Sequence, residues 1–218
     1  EGLTAVLPDL FGKAGVEPGR GGRRTFVVDA VQAMVPVCVS REFTVLATGR
    51  TSPVVDWLRA LARREHERCG GPGVGVVGMC FTGGFALAMA TIPEVVAPVM
   101  AQPSLPFPIG RVRKRAIDVS DTDLAIVERR CASGEVSVVG LRFCGDQAVP
   151  DERFATLRQR LGDAFVAVEL PPESAHPASF LSPHSTLTTH LVAEPGEPTH
   201  EGLQVVLDHL RRNLLTDA

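Results

Sequence analysis

A cysteine stands where a short apolar segment meets a helical pattern, and this placement could make it a nucleophile. Residues 70–84 read GGPGVGVVGMCFTGG, so an apolar strand over residues 74–79 runs into Cys80 and then into a mostly apolar helix over residues 81–91. A sharp turn at such a junction strains the central residue and exposes its side chain at the carboxyl edge of the sheet. The free N–H groups that open the helix favour a thiolate and a developing oxyanion.

The neighbours of the cysteine fit such a turn. Strand and helix pass close together there, so the residues at minus two, plus two and plus three must be small, and Gly78, Thr82 and Gly83 meet that need. A buried, unreactive cysteine is the competing interpretation, since free cysteine often packs as a small hydrophobe. The cysteine segment alone leaves both interpretations open, and a base and an orienting acid elsewhere in the chain would favour the nucleophile.

The same stretch also contains a literal GxGxxG pattern, formed by Gly73, Gly75 and Gly78, with Glu94 further on where a dinucleotide site places an acid. That pattern needs a strand before its first glycine and a helix opening at its third. Residues 65–72 end a helix and turn, and the glycines lie within the apolar strand. The sequence therefore disfavours dinucleotide binding.

An acid follows a second strand. Asp146 lies in the segment FCGDQAVP, just after a strand over residues 136–143. In an open α/β sheet the carboxyl edge of the strands holds the active site, so this carboxylate could meet Cys80 there. An aspartate in a turn or at a helix start is the competing interpretation. Asp151 is assigned to the cap of the helix that begins there.

The base is predicted in the loop that follows the strand over residues 165–170. This loop contains His176 and His184, and either ring could reach the sheet edge. The order cysteine, aspartate, histidine matches the order nucleophile, acid, base of α/β hydrolases. The residues alone leave the two histidines as alternatives.

With these residues in place, the chain resembles the dienelactone hydrolase family of the α/β-hydrolase superfamily. GMCFTGG resembles the segment of that family with its nucleophilic cysteine, FCGDQAVP its triad aspartate segment, and AVLPDLFG a strand-ending Pro-Asp-Leu near the start. The resemblance covers most of residues 4–215. The family's histidine lies in a Gly-His-Ser-Phe segment shortly before the last helix, which Pro183-His184-Ser185 resembles. His184 is therefore favoured, although the spacing from Asp146 fits His176 better.

The resemblance implies hydrolysis of a small-molecule ester or lactone through an acyl-enzyme, by a triad of Cys80, His184 and Asp146. It implies no metal and no organic cofactor, with the Phe81 N–H as oxyanion donor. Family members bind a substrate carboxylate through arginines, and Arg41 and Arg50 lie in the corresponding stretch. The alternative function is that of a non-catalytic binding or scaffold protein on the same fold.

The elements that position these residues alternate along the chain. Further strands are predicted at residues 4–7 and 95–101. Helices are predicted at residues 53–68 (capped by Ser52), 121–132 (capped by Ser120), 151–161 and 200–215, and residues 26–39 are apolar with a helical pattern. Loops are predicted at residues 11–24, 102–119 and 171–199. Apolar strands alternating with helices indicate an α/β fold, with a mostly parallel sheet flanked by helices on both faces. We expect one α/β-hydrolase domain over residues 1–218, with the first N-terminal strands of that fold missing.

Composition excludes several classes of protein. Hydrophobic residues make up 44% and charged residues 22% of the 218 residues, as in globular domains, and no apolar run is long enough for a membrane span. A formal net charge of −3 lacks the basic excess of nucleic-acid binders. The five cysteines are odd in number without a CxxC, and no histidine has zinc-site spacing. No export leader is recognised, so a reduced, cytoplasmic chain without structural metal is expected.

Overall fold

The protein, seen in a computed structural model, is described over residues 2–10, 42–44, 46–177 and 182–215. Its sheet has four strands in the order β1-β2-β3-β4, and every neighbouring pair is parallel. The strands are β1 (Val74–Met79), β2 (Val95–Ala101), β3 (Val138–Phe143) and β4 (Phe165–Leu170). The predicted α/β class with a parallel sheet is confirmed.

Helices cover both faces of this sheet. In the described part of the chain they are α1 (Val54–Cys69), α2 (Gly83–Met89), α3 (Gly110–Arg115), α4 (Asp121–Ala132), α5 (Asp151–Leu161) and α6 (Pro198–Leu214). Helices α1, α2, α4 and α5 bury their apolar residues in one core with one face of the sheet. The opposite face packs against α6, through a smaller cluster that includes Val139, Leu141 and Val206.

The strand sequences explain the two cores. Successive side chains of a strand point to opposite faces, so a strand covered on both sides needs apolar residues throughout. In β3, Val138 packs in the larger core, whereas Val139 and Leu141 pack against α6. All six residues of β3 are buried, which matches its position inside the sheet.

The structure corrects three local predictions. Residues 4–7 form no strand, and Leu7 is 92% exposed, since no neighbouring strand covers it among the described residues. Residues 110–115, predicted as loop, form α3. Ser52 does not cap α1; its hydroxyl instead bonds with Thr44 and Asp118. The predictions for residues 11–24 and 26–39 lie outside the described residues.

The parallel arrangement brings the carboxyl ends of all four strands to one edge of the sheet. Cys80 directly follows β1, Gln102 follows β2 and Cys144 follows β3. Any chemistry built from residues just after these strands is therefore concentrated at one edge. None of the helices in the described ranges is long and apolar enough to cross a membrane.

Candidate active site

The turn at Cys80 has the geometry that the sequence predicts. Cys80 has a φ of 53°, in the left-handed region that residues other than glycine rarely adopt. It begins a single 3₁₀ turn, Cys80–Thr82, which leads directly into α2. Strain of this kind costs about 1–3 kcal/mol and persists where the surrounding structure enforces it.

Close packing around the turn enforces this conformation. A Cβ atom on Gly78 would lie 2.2 Å from the Thr82 carbonyl oxygen, and one on Gly83 would lie 2.6 Å from Pro103. The Thr82 hydroxyl donates to the Met79 carbonyl and accepts the Met79 N–H, each at 3.0 Å. The small residues predicted on both sides of Cys80 are thus required by contact, and no helix opens within the GxGxxG pattern.

The aspartate predicted after β3 is bonded to one of the two candidate histidines. Asp146 Oδ1 accepts the Ala148 N–H at 2.9 Å, which fixes the carboxylate in its turn. The other oxygen, Oδ2, lies 2.6 Å from His184 Nδ1. The Asp146 side chain is only 6% exposed, so little water competes for this contact. The carboxylate therefore fixes the orientation of the His184 ring.

The other side of the His184 ring faces the cysteine. Because Nδ1 is bonded to Asp146, Nε2 is the ring nitrogen that remains for the sulfur, and His184 and Cys80 each shift the pKa of the other. Burial lowers the pKa of His184, but the hydrogen bonds with Asp146 and Cys80 and the charges of both outweigh burial and raise it to about 10. The imidazole is therefore protonated at neutral pH.

The pKa of Cys80 moves in the opposite direction. Burial raises the thiol pKa, but the hydrogen bond with His184 and its positive charge, together with Ser104 and the Phe81 backbone N–H, outweigh burial and lower it below its usual value. A thiolate paired with an imidazolium is the form that these two shifts favour. This is the nucleophilic form of cysteine.

The loop that carries His184 is held at two points. The Thr186 hydroxyl and N–H both donate to Gln102 Oε1, at 2.6 and 3.2 Å, which ties the loop to the residue after β2. The buried His190 ring accepts the Ser185 N–H at 3.0 Å through Nδ1 and packs edge-on against Phe143. The loop thus has a defined position relative to the sheet edge.

The second candidate histidine has a different place. His176 is exposed, and its backbone N–H donates to the His190 carbonyl at 3.0 Å. The hydrogen bond to Asp146 and the electrostatic interaction with Cys80 belong to His184. Of the two alternatives, His184 is thus the one whose ring lies between the acid and the sulfur.

Of the two predicted substrate arginines, only Arg50 lies among the described residues. Arg41 lies outside the described residues. Arg50 is exposed and lines a cavity of about 400 Å³ together with Thr51, Asp56 and Arg59, among others. None of Cys80, Asp146 and His184 lines this cavity. A substrate-binding role for either arginine stays a prediction.

Sequence reasoning missed two polar residues of the site. Ser104 places its hydroxyl 3.4 Å from the Cys80 sulfur, and Gln102 anchors the His184 loop. Both follow the carboxyl end of β2, so the rule that pointed to Asp146, polar residues just after a strand, could have pointed to them. The sequence pattern instead predicts a loop over residues 102–119.

The cysteines in the described part of the chain have free thiols. Cys69, Cys80, Cys131 and Cys144 are free there, and Cys38 lies outside those residues. The described residues contain no group of three or more histidine, cysteine or acidic side chains placed to hold a metal ion.

Comparison with known proteins gives a structural similarity. No family model matches the chain, and no curated protein matches it. Among solved structures, the chain is similar to a protein from Klebsiella pneumoniae subsp. pneumoniae MGH 78578, described as a "Putative Dienelactone Hydrolase", with 20% sequence identity and a TM-score of 0.48. The similarity covers 73% of this chain and 60% of that one, so the chain spans about three fifths of that protein's length.

Proposed function

We propose that the protein hydrolyses an ester or lactone bond of a small molecule, with Cys80 as nucleophile, His184 as acid and base, and Asp146 as the group that orients His184. The observation that carries this proposal is the arrangement of these three side chains at the carboxyl edge of the sheet, with His184 bonded to Asp146 and interacting electrostatically with Cys80. The left-handed backbone of Cys80 is a second support, because it exposes the sulfur at the turn.

In the acylation half of the reaction, the Cys80 thiolate attacks the substrate carbonyl carbon. A C–S bond forms, and the carbonyl electron pair moves to oxygen, where the Phe81 N–H donates to the resulting oxyanion. When the oxyanion collapses, the C–O bond to the leaving group breaks. The His184 imidazolium gives its proton to the departing alkoxide, which leaves as an alcohol.

In the second half, neutral His184 takes a proton from water, and the hydroxide so formed attacks the thioester carbonyl. The C–S bond breaks, the carboxylic acid leaves with its own proton, and His184 keeps the proton that it took from water, so the thiolate and the imidazolium are both restored. Asp146 stays ionised throughout and stabilises the imidazolium. Arg41 and Arg50 are proposed to bind a carboxylate of the substrate.

The test is ester turnover by the whole 218-residue chain, with p-nitrophenyl acetate and a simple lactone as substrates. Cys80→Ala is expected to abolish turnover, since the acyl-enzyme is proposed to form on the Cys80 sulfur. Cys144→Ala is the matched control, because Cys144 is a free, exposed thiol that directly follows another strand, β3, of the same sheet. It should retain wild-type turnover.

Two results would contradict the proposal. Turnover that survives Cys80→Ala would exclude the cysteine as nucleophile. A wild-type chain that is folded but hydrolyses neither substrate class would favour the alternative, a non-catalytic binding or scaffold protein on this fold.

A further inference from the structure

Ser104 lies against the sulfur of Cys80 through two contacts. Its backbone N–H donates to the Cys80 carbonyl at 3.0 Å, and its hydroxyl oxygen lies 3.4 Å from Cys80 Sγ. The residue is 4% exposed. Its hydroxyl is therefore close to the reacting atom in a place that bulk water scarcely reaches.

The backbone around Ser104 is held on both sides. Gln102 donates its N–H to the Leu141 carbonyl at 2.7 Å, which continues the pairing of β2 with β3. Pro103 packs against Gly83 so tightly that a Cβ there would lie 2.6 Å away, and the Pro103 carbonyl accepts from Arg153 at 2.7 Å. These contacts fix the position of the Ser104 hydroxyl relative to Cys80.

The protonation of the neighbours sets the direction of the hydrogen bond. A thiolate can only accept, so once His184 holds the proton, the Ser104 O–H must be the donor. Among the described residues, Cys80 Sγ is the hydrogen-bonding partner recorded for this hydroxyl. The His184 ring and the Phe81 N–H also stabilise the thiolate. Asp146 interacts with the His184 ring, and the charges of Asp146 and Arg153 interact with each other.

We infer that Ser104 is a further catalytic residue, whose hydroxyl donates to the Cys80 thiolate and makes the sulfur less basic. A less basic thiolate is more populated at neutral pH and is a better leaving group when the thioester is cleaved, although its intrinsic nucleophilicity is somewhat lower. The consequence for ester turnover rests on the proposed function. The lower basicity of the Cys80 sulfur does not depend on that function.

The test is the pH dependence of Cys80 alkylation by iodoacetamide, followed by mass spectrometry of the Cys80 peptide. The midpoint is the pH at which the alkylation rate reaches half of its maximum. In Ser104→Ala this midpoint should rise by about one pH unit, the size expected for loss of one hydrogen bond to a charged group. Well above both midpoints, the variant should alkylate as fast as the wild type or faster, because its thiolate is more basic. A merely structural role would lower the rate at every pH and leave the midpoint unchanged.

Two further variants separate the hydroxyl from the shape of the side chain. Ser104→Thr and Ser104→Val have nearly the same shape, and only the first retains a hydroxyl; we expect the wild-type midpoint for threonine and the raised midpoint for valine. Ser174→Ala is the matched control, because that buried hydroxyl donates to the Pro171 carbonyl instead. Continued protection of buried Cys131 from the reagent reports that each variant is folded.

Equal midpoints for the threonine and valine variants, or a wild-type midpoint in Ser104→Ala, would overturn the inference. Because alkylation needs no ester substrate, this result is independent of turnover. A shifted midpoint in a protein that hydrolyses no ester would keep the role of Ser104 at the thiolate and reject the proposed function.

Discussion

Cys80 and His184 each stabilise the charged form of the other, which favours the proton on the ring rather than on the sulfur. This follows from the raised pKa of His184 and the lowered pKa of Cys80, in a place where Asp146 holds the ring by Nδ1. The thiolate therefore needs no base in order to form. In the proposed reaction, His184 first acts as an acid toward the leaving group.

A pH profile tests this assignment of protons. As pH falls through the lowered pKa of Cys80, the thiolate is lost, so alkylation and ester turnover should both decline. As pH rises through about 10, His184 loses its proton; turnover of an alkyl ester or lactone should then fall, because the leaving alkoxide has no acid, while alkylation continues. Stopped-flow alkylation and ester assays over the same buffers give the comparison. Alkylation with an ordinary thiol midpoint would contradict the ion pair.

At the scale of secondary-structure elements, the junction of β1 and α2 depends on a glycine. In Gly78→Ala the new Cβ would meet the Thr82 carbonyl at 2.2 Å, and this backbone oxygen cannot move without distorting the Cys80 turn. We expect a loss of about 3 kcal/mol in the free energy of unfolding, measured by urea denaturation.

Gly202→Ala is the matched control for that change. This glycine lies inside α6, and its nearest new contact would be an ordinary 3.5 Å to side chains. Alanine there should raise stability by about 0.5–1 kcal/mol, since it favours helix over the unfolded chain. Similar effects of the two substitutions would contradict the close packing at the turn.

The His184 loop supplies a second test at this scale. Gln102, the residue after β2, holds this loop through two hydrogen bonds that its Oε1 accepts from Thr186. Thr186→Val removes one of these two donors. A less well held His184 should lower kcat about tenfold with little change in KM, because a small displacement of a catalytic group is costly. Thr188→Val, the same substitution at an exposed position of the loop, should retain wild-type kcat. Equal kcat values in steady-state assays would remove the anchoring role of Gln102.

The elements with a strong pattern could be predicted from the sequence, and those held by tertiary contacts could not. Strands β1, β2 and β4 and helices α4 and α5 occur with the predicted limits, because their apolar residues or caps stand at the required spacing. Helix α3 (GRVRKR) has no buried residue, so no periodicity marks it; its Arg113 carbonyl is instead bonded by Arg153. The mostly apolar residues 4–7 favour a strand, yet a strand also needs a neighbour.

The residues of the candidate site also divide into those that the sequence could predict and those that it could not. Cys80 and Asp146 could be predicted because each follows a strand directly, and sequence order fixes which edge of a parallel sheet they share. The choice between His176 and His184 depended on the path of a long loop, which the sequence does not specify. Ser104 and Gln102 were missed because their roles arise from contacts with residues distant in the chain.

At the scale of the molecule, one buried arginine joins segments that are far apart in sequence. Arg153 in α5 is fully buried, and its guanidinium donates to backbone carbonyls of Pro103, Pro106, Arg113, Ala116 and Ala148. It thus ties the chain after β2 and the turn that holds Asp146 to the same helix. The catalytic edge of the sheet depends on this connection.

Arg153→Met should therefore destabilise the whole protein. It would leave these carbonyls without their donor, and we expect a loss of at least about 3 kcal/mol in urea unfolding. Arg160→Met is the control, since Arg160 lies near the end of the same helix, is 38% exposed and pairs with Glu128 at the surface. That change should cost less than about 1 kcal/mol. Equal effects would show that the buried contacts of Arg153 add nothing to stability.

The most direct measurement of the proposed function is the covalent state of Cys80 during turnover. The protein would be mixed with p-nitrophenyl acetate, quenched with acid after milliseconds to seconds, digested and analysed by mass spectrometry. We predict one acetyl group on the Cys80 peptide, which appears with the release of p-nitrophenol and disappears as the substrate is exhausted. Ester turnover without an acetylated Cys80 peptide, or a stable acetyl group that never turns over, would contradict the proposed mechanism.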